Sequence, residues 1–239
     1  VREYVQSLGL GDTLVKLYGR WDKASDVDWD RLPNQFVLKV NNGCGDILIC
    51  RDKDKLDKAI VIDTYDKLVS IKYGDVTGEP HYARIQPCVI AEELLDINKQ
   101  SINTSSLIDY KVWCLNGKPY CIWCAWNRGK KGADTGVYDL DWNYHPEWSV
   151  FTEHYRQGKE ILPKPKCFER MLEVASKLSE EFPILRVDLY EVNGKIYFGE
   201  LTFTSLGGFM DYLTSEVLLD MGSKVRINEI SEEYAHIKC

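Results

Sequence analysis

The chain has 239 residues, of which 44% are hydrophobic and 28% charged, with a formal net charge of −7. That length holds one large domain or two small ones around a substantial core. The acidic balance leaves no electrostatic footprint for nucleic acid or an anionic membrane, no apolar run approaches a bilayer span, and no signal peptide is visible at Val1.

Residues 1–20 read as helical, with Val5, Leu8, Leu14, Leu17 and Tyr18 on a broken apolar face that Gly9 and Gly11 divide. Residues 21–33 read as a polar, solvated connection; Asp26, Asp28 and Asp30 alternate there without the glycine and terminal glutamate of a calcium loop. Phe36–Val40 and Ile47–Cys50 form a predicted hairpin around the glycine-rich tip Asn41-Asn-Gly-Cys-Gly-Asp46. A helix is expected over 54–72. A strand is expected from Ile85 to Ile90, ending in Glu92-Glu93-Leu94-Leu95.

Tyr110–Leu115 and Pro119–Trp126, joined by Asn116-Gly117, are a second hairpin rich in aromatic and β-branched residues. Cys121 and Cys124 have C-x-x-C spacing, but in a strand residues three apart point to opposite faces, so they read as buried thiols. The eight cysteines, scattered through the chain, suit a reducing cytosol. The four histidines do not cluster in sequence and propose no metal site or triad. Residues 127–136 read as a flexible basic loop carrying Arg128, Lys130 and Lys131. Tyr138–Trp148 is aromatic and acidic without regular periodicity; it serves either as core or as a surface for stacking. An amphipathic helix is expected over 165–182 and a last helix over 210–221.

The most informative stretch is the hairpin from Arg186 to Ser205 around Asn193-Gly194. Its first strand carries Asp188; its second carries Glu200 and Thr202 on one face. A two-residue turn sets Asp188 opposite Gly199, and a three-residue loop sets it opposite Glu200. Either way two carboxylates come close, and they need a proton or a cation to compensate them. A hard divalent ion such as Mg²⁺ suits oxygen donors. The alternative is a hairpin with two solvated acids.

Three further signals are weak singly. Lys39 precedes the glycine-rich tip, where backbone N–H groups and a lysine suit phosphate, although the spacing is not that of a P-loop. Glu92–Leu95 closes an apolar strand and can offer backbone groups to a base edge, or simply start a capped helix. Lys111 lies mid-strand among apolar residues and must face water, a carboxylate or a phosphate. Repeats and low-complexity segments are absent, and strands and helices mix in an α+β pattern.

The order of these features resembles the ATP-grasp fold. More narrowly, the chain resembles the TupA-like ATP-grasp family of cell-surface polysaccharide biosynthesis. The matching phrases are Val1-Arg-Glu-Tyr-Val5, Leu32-Pro-x-x-Phe-Val-Leu-Lys39, Asn42-Gly-x-Gly-Asp46, Asp109-Tyr-Lys-Val-Trp-Cys-Leu-Asn-Gly-Lys-Pro119, Tyr138-Asp-x-Asp-Trp-Asn143, Arg186-Val-Asp-Leu-Tyr190 and Phe198-Gly-Glu-Leu-Thr-Phe203. They span nearly the whole chain and are specific only together.

The resemblance implies a single ATP-grasp domain over 1–239, with an N-terminal lobe at 32–92, a C-terminal lobe at 96–239, and a helical segment 1–31 packed nearby. It implies ATP held between two α+β subdomains with antiparallel sheets. Lys39 is then expected at the ATP phosphates, with Gly43, Gly45 and Asp46 as a lid over them. Glu92, Glu93 and Leu95 are expected at the adenine. Lys111 and Arg128 are expected at the γ-phosphate and the transferring group, and Asp188, Glu200 and Thr202 at Mg²⁺. Many ATP-grasp enzymes carry asparagine where this chain has Thr202, which leaves the second metal open. The small domain that precedes the fold in familiar members is not evident before Val1.

The implied activity is carboxylate–amine ligation through an acylphosphate, on a sugar acid, by a cytoplasmic enzyme. Its partners are a carboxylate, an amine and polysaccharide-assembly proteins, with no nucleic acid and no membrane insertion. The alternatives are a kinase on the same scaffold or a non-catalytic nucleotide-binding partner of a polysaccharide-assembly complex.

Overall fold

The computed structural model describes residues 1–227 apart from 44, 46 and 78. Two compact units emerge: Val15–Leu95, and Val1–Leu14 together with the chain from Asp96 onward. Among the described residues no helix is long and apolar enough to cross a membrane.

The helix expected over 1–20 is confined to α1 (Arg2–Ser7). Gly9 then takes a left-handed φ of +70°, which stops the helix. After a 3-10 turn at Gly11–Thr13, residues Leu17–Trp21 form strand β1. The apolar spacing is therefore shared between a short helix and a strand.

In the smaller unit β1 joins β2 (Phe36–Val40), β3 (Ile47–Cys50) and β4 (Val89–Glu92) in an antiparallel sheet of order β1-β4-β2-β3. The predicted hairpin is the β2–β3 pair. Helix α2 (Lys58–Ser70) starts later than the pattern suggests, because Asp57 caps it by accepting from the Ile60 N–H. A short α3 (Tyr73–Thr77) and a 3-10 turn at Pro80–Arg84 follow. Strand β4 begins only at Val89, beyond Pro87, which has no N–H to give a ladder. One sheet face buries Phe36, Leu38, Val40, Val89 and Ala91 with Val61 and Tyr65 of α2. Ala24, Val27 and Leu32 join this core, so residues 21–33 are anchored at three points, while Asp26, Asp28 and Asp30 between them stay exposed as expected.

The larger unit is a six-stranded mixed sheet of order β10-β9-β5-β6-β7-β8. Its strands are β5 (Asp109–Leu115), β6 (Lys118–Gly129), β7 (Gly132–Tyr138), β8 (Tyr155–Gln157), β9 (Ile184–Val192) and β10 (Lys195–Thr202). All neighbours are antiparallel except β7 and β8. The basic stretch expected to be a flexible loop is instead a hairpin, with β6 running through Arg128 to Gly129 and only Lys130-Lys131 at the tip. Buried Ala133, Thr135 and Val137 alternate along β7 and give it a face to pack.

Helix α4 (Phe168–Ser179) lays Phe168, Met171, Val174, Ala175 and Leu178 on one sheet face. Each of these is essentially solvent-free, and burial of a large apolar side chain contributes about 1.5–3 kcal/mol. Val5 of α1 and Leu10 complete that core. The last helix, α5 (Ser215–Lys224), is displaced toward the C-terminus from the expected 210–221, because Leu213 is extended and bridges to Ser149. It covers part of the opposite face with Val217 and Met221, over Trp113, Trp123 and Tyr212. Cys124 lies in the α4-side core and Cys121 in the α5-side core, as their strand spacing requires.

Candidate functional site

The site in the larger unit follows from register. Lys111 on β5 pairs with Asp188 on β9, and Trp113 with Arg186. On the other side of β9, Asp188 pairs with Glu200 and Arg186 with Thr202. Alternation then places Asp109, Lys111, Arg186, Asp188, Tyr190, Glu200 and Thr202 on one face, opposite α4.

The Asp188–Glu200 pairing arises in an unanticipated way. The turn is the two-residue Asn193-Gly194, both at positive φ. That turn alone puts Gly199 opposite Asp188. A bulge between Phe198 and Glu200 skips Gly199 and brings Glu200 into register. Only glycine fits the bulge, because a Cβ there would lie 2.9 Å from the Asp188 carbonyl and 3.1 Å from the Tyr190 ring.

Asp188 is 1% exposed and bound by two positive partners. Lys111 Nζ makes a short ion pair with its Oδ2. Arg186 donates from Nε to Oδ1 at 2.7 Å and from Nη2 to Oδ2 at 2.9 Å. Burial by itself would raise the carboxyl pKa, but Arg186 and Lys111 outweigh it and hold it at about 2. Arg186 Nη2 also reaches Glu200 Oε1 at 3.2 Å and Thr202 Oγ1 at 2.9 Å, and Thr202 donates to Glu200 at 3.0 Å. The two carboxylates therefore do come together, and the compensating cation is Arg186.

Asp109, also buried, lies 3.7 Å from Lys111 Nζ and takes Arg128 Nη2 at 2.6 Å. Thus Lys111 and Arg128, both expected at transferring phosphate, meet at one carboxylate. The Asp109 charge, then burial, then Asp188 and Glu200 push the Tyr190 phenol well up, so it stays protonated as a donor.

In the smaller unit Lys39 forms a 2.7 Å ion pair with Glu92 across the β2–β4 pair. These residues share the sheet face away from α2 with the exposed Ile47 and Ile49 of β3. Glu93 gives its N–H to the Lys16 carbonyl at 2.9 Å, and Leu95 is buried. Gly43 and Gly45 form the β2–β3 tip, which Asn42 ties down by donating to the Val69 and Ile71 carbonyls. Asp46 lies outside the described residues.

Oxygen donors from Asp188, Glu200 and Thr202 are the right chemistry for Mg²⁺. Glu200 is the accessible member, with its side chain 61% exposed, so the donor set fits a hard cation arriving from solvent. Among the described residues no group of three or more His, Cys, Asp or Glu could hold a metal ion, so the pair depends on further oxygens from a ligand or water.

The aromatic segment splits. Tyr138 and Trp142 stack on each other at 4.4 Å within the α4-side core, and Trp142 donates to the Leu162 carbonyl. His145 covers Trp148 at 4.0 Å and lies between Asp139 and Glu147. Core and mutual stacking therefore occupy these rings.

Sequence reasoning missed Arg186 and Asp109. Each sits two residues before a residue it did single out, on the same strand face, so period-two alternation could have found both. Ser205 and Tyr212, which extend the network beyond Arg186, come from irregular chain that carries no spacing signal.

A family model described as TupA-like ATPgrasp matches residues 1–226. The chain belongs to that ATP-grasp family. A search of curated proteins finds no match. Among solved structures, D-alanine–D-alanine ligase from Bacillus anthracis has a TM-score of 0.50 and 16% identity over 93% of this chain and 64% of its own. The same enzyme complexed with ATP gives 0.49 and 14%, over 92% of this chain and 58% of its own. The chain thus spans about three fifths of the length of these ligases, and the likeness is one of fold.

Proposed function

We propose that the protein is an ATP-dependent carboxylate–amine ligase that forms an amide through an acylphosphate. The acceptor is a sugar acid of cell-surface polysaccharide biosynthesis, and the enzyme works in the cytoplasm beside polysaccharide-assembly partners. The observation that carries this reading is the Lys111–Asp188–Arg186–Glu200 network in a chain of the ATP-grasp family.

A substrate carboxylate oxygen attacks the γ-phosphorus of ATP, the bond to the bridging oxygen breaks, and ADP leaves. The amine then attacks the acyl carbon, phosphate departs, and the amine loses a proton. Such transfers ask for positioning and charge neutralisation more than for covalent help. Asp188, Glu200 and the Thr202 hydroxyl would hold Mg²⁺, whose charge would offset that of the phosphates. Lys111 and Arg128 meet the transferring group, and Asp109 aims both of them. Lys39, with Gly43, Gly45 and Asp46 of the tip, serves the phosphates, and the Glu92–Leu95 segment serves the adenine.

The test is Mg²⁺-ATP consumption, with ADP and phosphate quantified, across free and nucleotide-linked uronic acids with and without amines. Release of both products only when acid and amine are present is the expected result. ADP formed without phosphate, or without need of an amine, assigns a kinase. Nucleotide binding with no turnover across the panel assigns a non-catalytic partner. Glu200→Gln is expected to abolish Mg²⁺-dependent turnover, and unchanged turnover removes Glu200 from the metal site.

A further inference from the structure

Arg186 is held from two sides. Its Nε and Nη2 face Asp188, Glu200 and Thr202, while Nη1 donates to Ser205 Oγ at 2.8 Å. Ser205 shares a second 2.8 Å hydrogen bond with the Tyr212 hydroxyl. Both residues are buried, at 5% and 2% exposure. A serine hydroxyl rotates freely unless its proton is engaged. Ser205 Oγ accepts from Nη1 and shares its second hydrogen bond with Tyr212, in which either hydroxyl can donate; both bonds together hold the oxygen in place.

Tyr212 is itself closely packed. Its ring packs on Trp123 at 4.7 Å and on Tyr155 at 5.9 Å. Its carbonyl accepts from the Val150 N–H at 3.0 Å, beside the Ser149–Leu213 bridge. A rigid aromatic layer is thus connected through two hydroxyls to the guanidinium that spans both carboxylates. Glu200, being exposed, is held by Arg186 and Thr202.

We propose that Ser205 and Tyr212 are positioning residues. They fix the Arg186 guanidinium so that Asp188 and Glu200 stay assembled as one acidic pair, ready to take Mg²⁺ with nucleotide. The Mg²⁺ part rests on the ligase reading, whereas the anchoring of Arg186 does not.

Two measurements on the full chain test it. The first follows the Arg186 Nε–H resonance by NMR in the ligand-free protein, assigned by its loss in Arg186→Lys. Its exchange with water is expected to quicken about tenfold in Tyr212→Phe and in Ser205→Ala, the scale of one lost hydrogen bond to a charged group. Tyr212→Phe keeps the ring and its packing, so it reports on the hydroxyl alone. The second titrates Mg²⁺ against AMP-PNP binding by calorimetry, where the apparent Mg²⁺ affinity is expected to fall about tenfold in both variants. Because Tyr212 and Ser205 share one hydrogen bond beside Arg186, adding Tyr212→Phe to Ser205→Ala should change each reading by less than the sum of the two single effects.

Unchanged exchange in both variants overturns the proposal. So does faster exchange with an unaltered Mg²⁺ affinity, or full additivity in the double variant. A wild-type protein that binds no AMP-PNP defeats the ligase reading instead, and the exchange measurement then decides the anchoring alone.

Discussion

The two sheets carry charge in opposite ways. In the larger unit Asp188, Asp109, Lys111 and Arg186 are all at or below 9% exposure and bound to one another. In the smaller unit Lys39, 31% exposed along its side chain, meets Glu92 on a face open enough to leave Ile47 and Ile49 in solvent. Buried opposite charges hold each other against a desolvation cost, and removing one strands the rest. In the Lys39–Glu92 pair only Glu92 is buried, so removing the carboxylate leaves a lysine that water can reach. The same residue types therefore differ in what they contribute to stability.

The largest effect expected from this contrast is that of Asp188→Asn. It leaves Lys111 and Arg186 without their shared counter-charge and is expected to cost about 3–5 kcal/mol in urea unfolding. Glu92→Gln, the matching change in the smaller unit, leaves the more exposed Lys39 to water and is expected to cost about 1 kcal/mol or less. Equal losses in the two variants would break the comparison.

Acid unfolding sharpens it. The Asp188 pKa lies at about 2, below its ordinary 3.8. Folding therefore lowers it, and the associated stability is complete above the unfolded value and disappears as pH falls through the folded one. Wild-type stability should drop between 3.8 and about 2, and the part of that drop due to this group should be missing in Asp188→Asn. An identical acid profile in the two proteins would place the proton elsewhere.

A smaller effect comes from the backbone. Gly199→Val puts a Cβ against the Asp188 carbonyl and the Tyr190 ring. It is expected to cost about 1–3 kcal/mol and to lower turnover by shifting Glu200 out of register with Asp188. Gly222→Ala in α5, where a Cβ meets nothing within 4 Å, is the control; it should be neutral or stabilising by about 0.5–1 kcal/mol.

These residues also show how far the sequence could be read. Mid-strand Lys111 had to face water, a carboxylate or a phosphate, and it meets Asp188 and Asp109. The convergence of Asp188 and Glu200 was legible from strand alternation and the Asn193-Gly194 turn. The bulge that produces it was not, because a bulge depends on what a neighbouring strand leaves room for, here the space that only Gly199 fits. The α+β pattern and the main hairpins were legible from period and turn chemistry. The β6–β7 hairpin was missed because Arg128, Lys130, Lys131 and three glycines mask a strand whose buried residues start only at Gly132. Residues 1–20 failed for a related reason: the apolar set at 14–18 suits a strand edge as well as a helix, and Gly9 decides between them. Period-two alternation puts Arg186 on the face of Asp188, but its role as the resident cation depends on three strands in register at once.

His145 lies between the two extremes of burial and gives the finest test. Its side chain is 24% exposed, with Nδ1 2.7 Å from Glu147 and Nε2 3.2 Å from Asp139. Carboxylate oxygens at both ring nitrogens call for the doubly protonated ring, which also stacks on Trp148. Partial burial pulls its pKa down, but the hydrogen bonds with Glu147 and Asp139 win and leave it above 6.5. A pKa raised by folding gives stability that is full below the unfolded value and is lost as pH rises through the folded one. The thermal midpoint should therefore fall modestly as pH rises above 6.5, and His145→Gln should flatten that slope. The loss should be smaller than that of Asp188→Asn, because water can solvate Glu147, 63% exposed, once the ring is neutral. A slope as steep in His145→Gln as in the wild type would remove the imidazolium from this cluster and leave burial alone as the measure of what a charge contributes here.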